Sequence, residues 1–213
     1  MILVISGPQA SGKGTQGDLL AKKLGLFHME SGEMLREIAK TDNRIRDMLN
    51  TGTLVPGEET IKLMEKKIND ETGGLENIIF DGFPRTPEQY ELFKKWLQIN
   101  NTKLDCTIYL EISDKEAEKR LSARRIDEIT GEVYNLITNP PGTDVNPEYL
   151  VQREDDKPAA IRKRLFIFHS TTKPMLEEME KDGLLVKVNG EQSIMAIFEE
   201  ILTELKKRGL YNG

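Results

Sequence analysis

The chain has 213 residues, 38% hydrophobic and 31% charged, which is the size and composition of one α/β domain with small insertions. Its formal net charge of −6 argues against a broad nucleic-acid-binding surface, and its apolar runs are far shorter than a membrane span. The single cysteine, Cys106, excludes an internal disulfide framework, and its strand-like surroundings predict a buried side chain. The lack of disulfides and of a leader before the first strand predicts a cytoplasmic protein.

Strand-like apolar runs alternate with helix-like runs, a pattern typical of a parallel sheet with helices on both faces. We predict an α/β fold whose five parallel strands lie at 1–6, 27–29, 77–81, 107–111 and 184–188. The predicted helices lie at 16–24, 31–40, 58–72, 87–100, 114–125, from 158 onward and at 193–208. Residues 30–55 hold two short helices where one crossover helix would suffice, and the turn-rich residues 126–156 predict a small ordered lid with short strands.

Two of these helix starts carry capping signals. Ser31 precedes a helical run and is the expected N-cap of its helix. Ser113 and Glu116 have the spacing of a capping box, in which each side chain bonds the other residue's backbone N–H.

The segment 7–15 has the pattern Gly-x4-Gly-Lys and lies directly between the first strand and the first helix. In that context small residues let backbone N–H groups converge on an anion, and Lys13 is expected on the β/γ-phosphates of a nucleotide. The alternative is an ordinary glycine-rich turn. Gly14 stands where the general motif has a magnesium-binding Ser or Thr, and the hydroxyl comes one residue later, at Thr15.

Two carboxylates are candidates for holding magnesium. Asp81 ends an apolar strand, where an aspartate in a phosphate-loop protein helps to hold Mg²⁺ through water; the alternative is a turn role with Gly82. Glu33 is a candidate for a second metal-bound water, or for a favourable charge in the first turn of a helix.

Arginines are concentrated in one part of the chain, which in an acidic protein suggests a small polyanionic ligand. The group consists of Arg120, Arg124, Arg125, Arg153, Arg162 and Arg164. Arg85, on a loop stiffened by Pro84, and Arg36 fit the same electrophilic site, because the planar guanidinium grips phosphate oxygens in pairs. For each arginine alone, a solvated surface charge is the alternative. Neither of the two histidines, His28 and His169, is assigned a catalytic role, and no CxxC pair is present to bind zinc.

Taken together these motifs resemble the adenylate kinase family, over essentially all 213 residues. The landmarks are Gly-x4-Gly-Lys13-Gly14-Thr15-Gln16, Ser31-Gly32-Glu33-Met34-Leu35-Arg36, Asp81-Gly82-Phe83-Pro84-Arg85-Thr86 with Gln89, Arg120-x3-Arg124-Arg125, Arg153-x-Asp155-Asp156 and Arg162-Lys163-Arg164-Leu165. The resemblance implies a core domain of residues 1–29, 56–122 and 157–213. It also implies a small helical AMP-binding insertion at 30–55 and a β-rich lid at 123–156.

The implied reaction is Mg·ATP + AMP ⇌ 2 ADP, carried out by a monomer on small-molecule nucleotides, without nucleic acid, membrane or structural zinc. By resemblance the catalytic residues are Lys13, Arg85, Arg124, Arg153 and Arg164. Those implied to bind ATP are Ala10, Ser11, Gly12, Lys13, Gly14, Thr15, Arg120, Arg124, Val133, Tyr134 and Gln192. Those implied to bind AMP are Ser31, Arg36, Thr53, Leu54, Val55, Gly82, Phe83, Pro84, Arg85, Gln89, Arg153 and Arg164. Asp81 and Glu33 would act on the nucleotide-bound Mg²⁺ through water.

The chain also departs from the family pattern. Gln9 and Ala10 replace a usual Pro-Gly, Glu33 replaces Asp, and Ser31 replaces Thr while keeping the hydroxyl. The lid lacks cysteines and has Asp127 at a usual histidine position. Two sets of residues are candidates for stabilising it: hydrogen-bonding Asp127, Thr130, Asp144 and Asn146, or apolar Ile126, Val133 and Val145.

Two other functions compete with an adenylate kinase. One is a kinase for another nucleoside monophosphate, against which Ser31 and Gln89 speak by favouring adenine. The other is a protein that binds nucleotides without turnover, which the intact set of Lys13, Asp81 and arginines disfavours.

Overall fold

The computed structural model describes residues 1–153 and 156–213, so the predicted landmark Asp155 lies outside the described residues. The strands are β1 (Ile2–Ser6), β2 (Phe27–Glu30), β3 (Ile78–Asp81), β4 (Cys106–Glu111), β5 (Arg124–Asp127), β6 (Val133–Asn135), β7 (Leu150–Val151) and β8 (Leu185–Asn189). The α-helices are α1 (Lys13–Leu24), α2 (Ser31–Ile38), α3 (Asn43–Thr51), α4 (Gly57–Thr72), α5 (Pro87–Ile99), α6 (Asp114–Ser122), α7 (Pro158–Ile167), α8 (Lys173–Lys181) and α9 (Ile194–Lys207).

Within the described part of the chain, the main sheet has five parallel strands in the order β2-β3-β1-β4-β8. Parallel strands need crossover connections, and the helices that supply them cover both faces of the sheet. All carboxyl ends therefore meet at one edge, which is where open α/β sheets bind their ligands. The predicted fold class is confirmed.

The core lies on both faces of this sheet. Along β1, Ile2 and Val4 pack into one apolar cluster, and Leu3 and Ile5 pack into the other. Side chains alternate across a strand, so a strand that is buried on both faces reads as a continuous apolar run. In the first cluster the ring of Phe93 makes edge-to-face contacts with Phe80 on β3 and with Phe83 on the loop after it, at centroid distances of 5.1 and 5.9 Å.

A second, smaller sheet is inserted after α6. Its strands run antiparallel in the order β6-β5-β7, and a 3₁₀ turn at Pro147–Tyr149 precedes β7. This sheet falls in the segment for which the sequence predicts a β-rich lid.

Several hydrogen bonds from side chains to the backbone stabilise the segment of this small sheet. The buried carboxylate of Asp127 accepts from the N–H groups of Ile129, at 2.8 Å, and Thr130, at 3.0 Å. The side chain of Asn146 likewise accepts from the N–H of Glu148. Val133 is 46% exposed. Of the two predicted ways of stabilising the lid, these contacts favour hydrogen bonding.

Several predicted helix bounds need correction. Helix α1 begins at Lys13, three residues before its predicted start, and α6 ends at Ser122 because the chain enters β5 at Arg124. Helix α8 was not predicted; it follows α7 after a π-helical turn at Phe168–Thr172.

The two capping predictions were wrong in part. Glu30, not Ser31, occupies the N-cap position of α2, because the hydroxyl of Ser31 turns inward and donates to the carbonyl of Asp81 at 3.0 Å. Ser113 caps α6 by accepting from the N–H of Glu116, but its own N–H donates to Glu191. The capping box is therefore only half formed.

No helix within the described residues is both long and apolar enough to cross a membrane. Cys106 is buried in β4 as predicted, and burial raises the pKa of its thiol to about 11.

The packing of α1 against β2 generates a test of the fold. A methyl group on Gly17 would lie 2.5 Å from Cε1 of His28, whose ring is held by a 2.8 Å contact with Asp18. We expect Gly17→Ala to lower the free energy of unfolding by about 1–3 kcal/mol, although alanine favours a helix. Urea unfolding measures the loss. Gly74→Ala, where the methyl group meets nothing within 4 Å, is the control; equal stability of the two variants would contradict the packing.

Candidate active site

The loop between β1 and α1 has the shape that its sequence predicts. Gly7 has φ of 150°, and a side chain there would lie 2.6 Å from the carbonyl oxygen of Leu110. Only glycine fits so close an approach. Ala10 also has a positive φ, 60°, which costs a residue with a Cβ about 1–2 kcal/mol. The loop therefore keeps a left-handed turn at a position where this chain does not have glycine.

Lys13 begins α1 and is partly buried beneath this loop. Its Nζ donates to the carbonyls of Gly7, at 2.9 Å, and Pro8, at 2.8 Å. Burial lowers the pKa of its ammonium to about 8, against the opposing charge of Asp81. The ammonium thus rests on backbone oxygens, where incoming phosphate oxygens could replace them.

Asp81 ends β3 and is 5% exposed. The ring of His28 lies beside it, with Nε2 3.8 Å from the carboxylate, and Nδ1 contacts Asp18 at 2.8 Å. Burial disfavours the charged ring, but these two carboxylates outweigh it and raise the pKa of His28 to about 9. His28, assigned no catalytic role from the sequence, is therefore a charged neighbour of a candidate metal-holding residue.

Asp81 and Glu33 both line the cavity above the loop. The described residues contain no cluster of three or more His, Cys, Asp or Glu that would hold a metal ion by itself. Magnesium prefers oxygen ligands and is commonly held by one or two carboxylates, waters and substrate phosphates. Two carboxylates at the mouth of a phosphate loop fit that donor set.

The cavity has a volume of about 1270 Å³ and gathers most of the predicted cations. Among the described residues, the cationic side chains that line it are Lys13, Arg36, Arg85, Arg120, Arg124, Arg153 and Arg164. Two members of the predicted arginine group, Arg125 and Arg162, are not part of its lining. Arg125 instead donates to the carbonyls of Ser122 and Arg124.

Two of these arginines share one buried carboxylate. Arg124 Nε and Nη2 donate to Asp156 at 2.7 and 2.6 Å, and Arg164 Nη1 donates to the same carboxylate at 3.4 Å. The Asp156 side chain is fully buried. This arrangement links β5 of the small sheet to α7 of the core and fixes both guanidiniums at the cavity wall.

Arg85 is fixed through the backbone of its own loop. Its N–H donates to Gln89 Oε1 at 2.8 Å, its carbonyl accepts from Thr172 at 3.0 Å, and its Nε donates to the carbonyl of Gly82. Burial lowers the pKa of its guanidinium below the ordinary value, and Asp81 opposes this effect.

On the predicted ATP side, the cavity lining includes every residue that the sequence assigned: Ala10, Ser11, Gly12, Lys13, Gly14, Thr15, Arg120, Arg124, Val133, Tyr134 and Gln192. Arg120 donates to Glu116 at 2.8 Å and to the carbonyl of Ala10 at 3.4 Å. Gln16 Nε2 donates to the carbonyl of Ile194 at 2.8 Å and so ties α1 to the segment that carries Gln192.

On the predicted AMP side the agreement is incomplete. Arg36, Gly82, Pro84, Arg85, Arg153 and Arg164 line the cavity; Ser31, Thr53, Leu54, Val55, Phe83 and Gln89 do not. Gln89 instead links α5 to the segment before α4, since its Nε2 donates to the carbonyl of Val55 at 3.4 Å. Phe83 is 2% exposed and packs on Phe93.

Sequence reasoning assigned no role to two acidic residues of this region. Asp156 was noted only as part of a pattern, although its place between two arginine-rich segments was a usable signal. Glu30 was not singled out; it pairs with Arg36 at 2.9 Å, a contact for which the sequence carries no signal.

Comparison with known proteins finds one family along most of the chain. The family model for adenylate kinase matches residues 5–184. An adenylate kinase of Salinibacter ruber is 37% identical over 97% of this chain and 100% of its own length. Adenylate kinases of Chloroherpeton thalassium and Thermosipho africanus are 38% and 33% identical, each over 97% of this chain and 100% of their own length.

The shared carboxylate generates a stability test. Asp156→Asn removes the charge that two guanidiniums share, so we expect the free energy of unfolding to fall by about 1–3 kcal/mol. Chemical denaturation measures it. The exposed pair of Lys187 and Glu180 gives the control, because Glu180→Gln should change stability by less than about 0.5 kcal/mol. A loss no larger than that of the control would show that the buried carboxylate adds nothing.

The lowered pKa of Lys13 generates a pH test. The folded protein releases this proton near pH 8 and the unfolded chain near 10.5, so raising the pH through that window favours the folded state. Relative to Lys13→Met, the wild type should gain stability there by up to about 1.4 kcal/mol per pH unit. Unfolding curves of both proteins at several pH values measure the difference, in which other titrating groups cancel. Parallel pH dependences would contradict the burial of a charged lysine.

Proposed function

This chain belongs to the adenylate kinase family and is an enzyme of phosphoryl transfer between ATP and AMP; we propose that the transfer is reversible, magnesium-dependent and produces two ADP. The observation that carries the proposal is the joining of the phosphate loop and seven cationic side chains in one cavity of the described structure. Two polyanionic substrates that meet end to end need this density of positive charge.

The transfer asks for positioning and charge rather than covalent participation by the protein. We assign the triphosphate of ATP to the phosphate loop and Lys13, with Arg120 and Arg124 above it, and the adenine to the segment near Gln192. We assign the phosphate of AMP to Arg36 and Arg85, with Arg153 and Arg164 at the transferring group. The AMP phosphate is already anionic, so the proposal needs no general base.

Asp81 and Glu33 would hold nucleotide-bound Mg²⁺ through water. When bound, the ion neutralises charge that develops on the phosphoryl oxygens. The place of Asp81 at the end of β3 and its buried surroundings support this role, and the ring of His28 lies 3.8 Å from its carboxylate.

We further propose that residues 30–55 and 123–156 are the two domains that close over the substrates, with the rest of the chain as a fixed core. Closure excludes water and so suppresses hydrolysis of ATP. Ser31, the 53–55 backbone, Phe83 and Gln89 would complete the AMP site on closure. We expect the enzyme to act as a cytoplasmic monomer that balances adenine nucleotides.

The decisive experiment measures ADP formation from ATP, AMP and Mg²⁺, with each omitted in turn. ADP should form only when all three are present. Replacing AMP by UMP, CMP or GMP tests the acceptor, and comparable rates with UMP would assign a different monophosphate kinase. Tight ATP binding without ADP formation would mean that the protein binds nucleotides only.

Arg85 provides the matching mutational test. Arg85→Ala should lower kcat by at least about 10²–10³-fold, because a guanidinium that stabilises transferring phosphate is lost. Arg46→Ala, at an exposed arginine of α3, should leave turnover unchanged. Circular dichroism checks that both variants fold. Full activity of folded Arg85→Ala would remove Arg85 from the catalytic set.

A further inference from the structure

Glu30 occupies an unusual position at the edge of the sheet. It ends β2 directly beside Asp81, its register partner on β3, and it is also the N-cap residue of α2. N-cap side chains normally accept a hydrogen bond from the start of the helix, but Glu30 makes no such bond. Its Oε1 accepts instead from Arg36 Nη2 at 2.9 Å.

The carboxylate of Glu30 also lies between the two proposed substrate sites. It lines the cavity, and its Oε2 lies 3.7 Å from the point where a methyl group on Gly14 of the phosphate loop would sit. Burial lowers the pKa of both Lys13 and Arg85, and Glu30 is among the carboxylates that oppose the effect. Its negative charge therefore acts on cations of both sites.

We propose that Glu30 sets the affinity for AMP by competing with the AMP phosphate for Arg36. The inference rests on the proposed function, in which Arg36 binds that phosphate. In this inference the AMP phosphate has to displace the carboxylate of Glu30. Glu30 therefore determines substrate affinity without binding the substrate itself.

The geometry supports competition rather than cooperation. A guanidinium grips phosphate through two parallel N–H groups, and Glu30 already occupies a terminal nitrogen of that fork. A phosphate bound at Arg36 would also face a second negative charge a few ångströms away. The two side chains are 43% and 32% exposed, so water can solvate either group when the pair separates.

Competition has a use in a reversible reaction. When AMP leaves, Glu30 recaptures Arg36, so the departing phosphate does not leave an unpaired guanidinium in the cavity. AMP release is thereby eased at the expense of AMP affinity. A carboxylate that only oriented Arg36 would have the opposite effect, since its removal would weaken AMP binding.

Calorimetric titration of AMP, without ATP and without Mg²⁺, tests the proposal. We expect Glu30→Gln to lower the Kd for AMP by about three- to tenfold at low ionic strength. The gain should shrink between about 0.02 M and about 0.2 M salt, because screening weakens the removed charge. Glu37→Gln, on the same helix as Arg36, breaks an exposed pair with Lys40 and should leave the Kd unchanged. An unchanged or higher Kd in folded Glu30→Gln would overturn the proposal, and Glu30→Ser provides the same test if the glutamine variant does not fold.

Arg36→Met separates this inference from the function on which it rests. If the wild type does not bind AMP, or if Arg36→Met binds it equally well, the proposed AMP site is wrong. If Arg36→Met weakens AMP binding and neither Glu30 variant strengthens it, the AMP site stands and only the competition fails.

Discussion

The balance of charge inside one cavity is the constraint on which the rest of the site depends. Seven cations and seven carboxylates are found among its described lining residues. Without substrate the cations would repel one another across a partly desolvated space. Several of them donate instead to oxygen atoms of the protein. Lys13 donates to two backbone carbonyls, Arg120 donates to the carboxylate of Glu116, and Arg36 donates to that of Glu30. Phosphate oxygens can replace these acceptors one by one, so the site is already arranged before a nucleotide enters.

This balance explains where the acids lie in the fold. Asp81 and Glu30 end neighbouring parallel strands, so the sheet itself sets their separation. Glu116 is one helical turn before Arg120 on α6, a spacing at which side chains meet. Strand ends and helix turns set where each backbone meets the cavity. The fold thus places Glu30 beside Arg36 and Glu116 beside Arg120.

The sequence predicted correctly those parts of the fold that are determined by a local pattern of residues. The five strands of the main sheet were predicted to within about one residue, most directly β1, β3 and β4, which are buried on both faces and so read as apolar runs. The phosphate loop was predicted because its glycines meet a requirement of the backbone. Helix α8 was missed because it continues α7 through a π-helical turn without a break, although the proline in its first turn was a usable signal of a new helix. The pairing of Glu30 with Arg36 could not be predicted either, because it depends on how the end of β2 places that carboxylate against α2.

The small sheet shows how the same ion pairs also hold the architecture together. Its strands are only two to four residues long, and it leaves Ile129, Leu136 and Ile137 between 46% and 72% exposed. A unit with so little apolar burial has little stability of its own. The bond from Arg124 on β5 to Asp156 therefore has two consequences: it aims a guanidinium at the cavity and anchors the sheet to the start of α7. One buried carboxylate therefore joins the small sheet, the wall of the cavity and, through Arg164, helix α7.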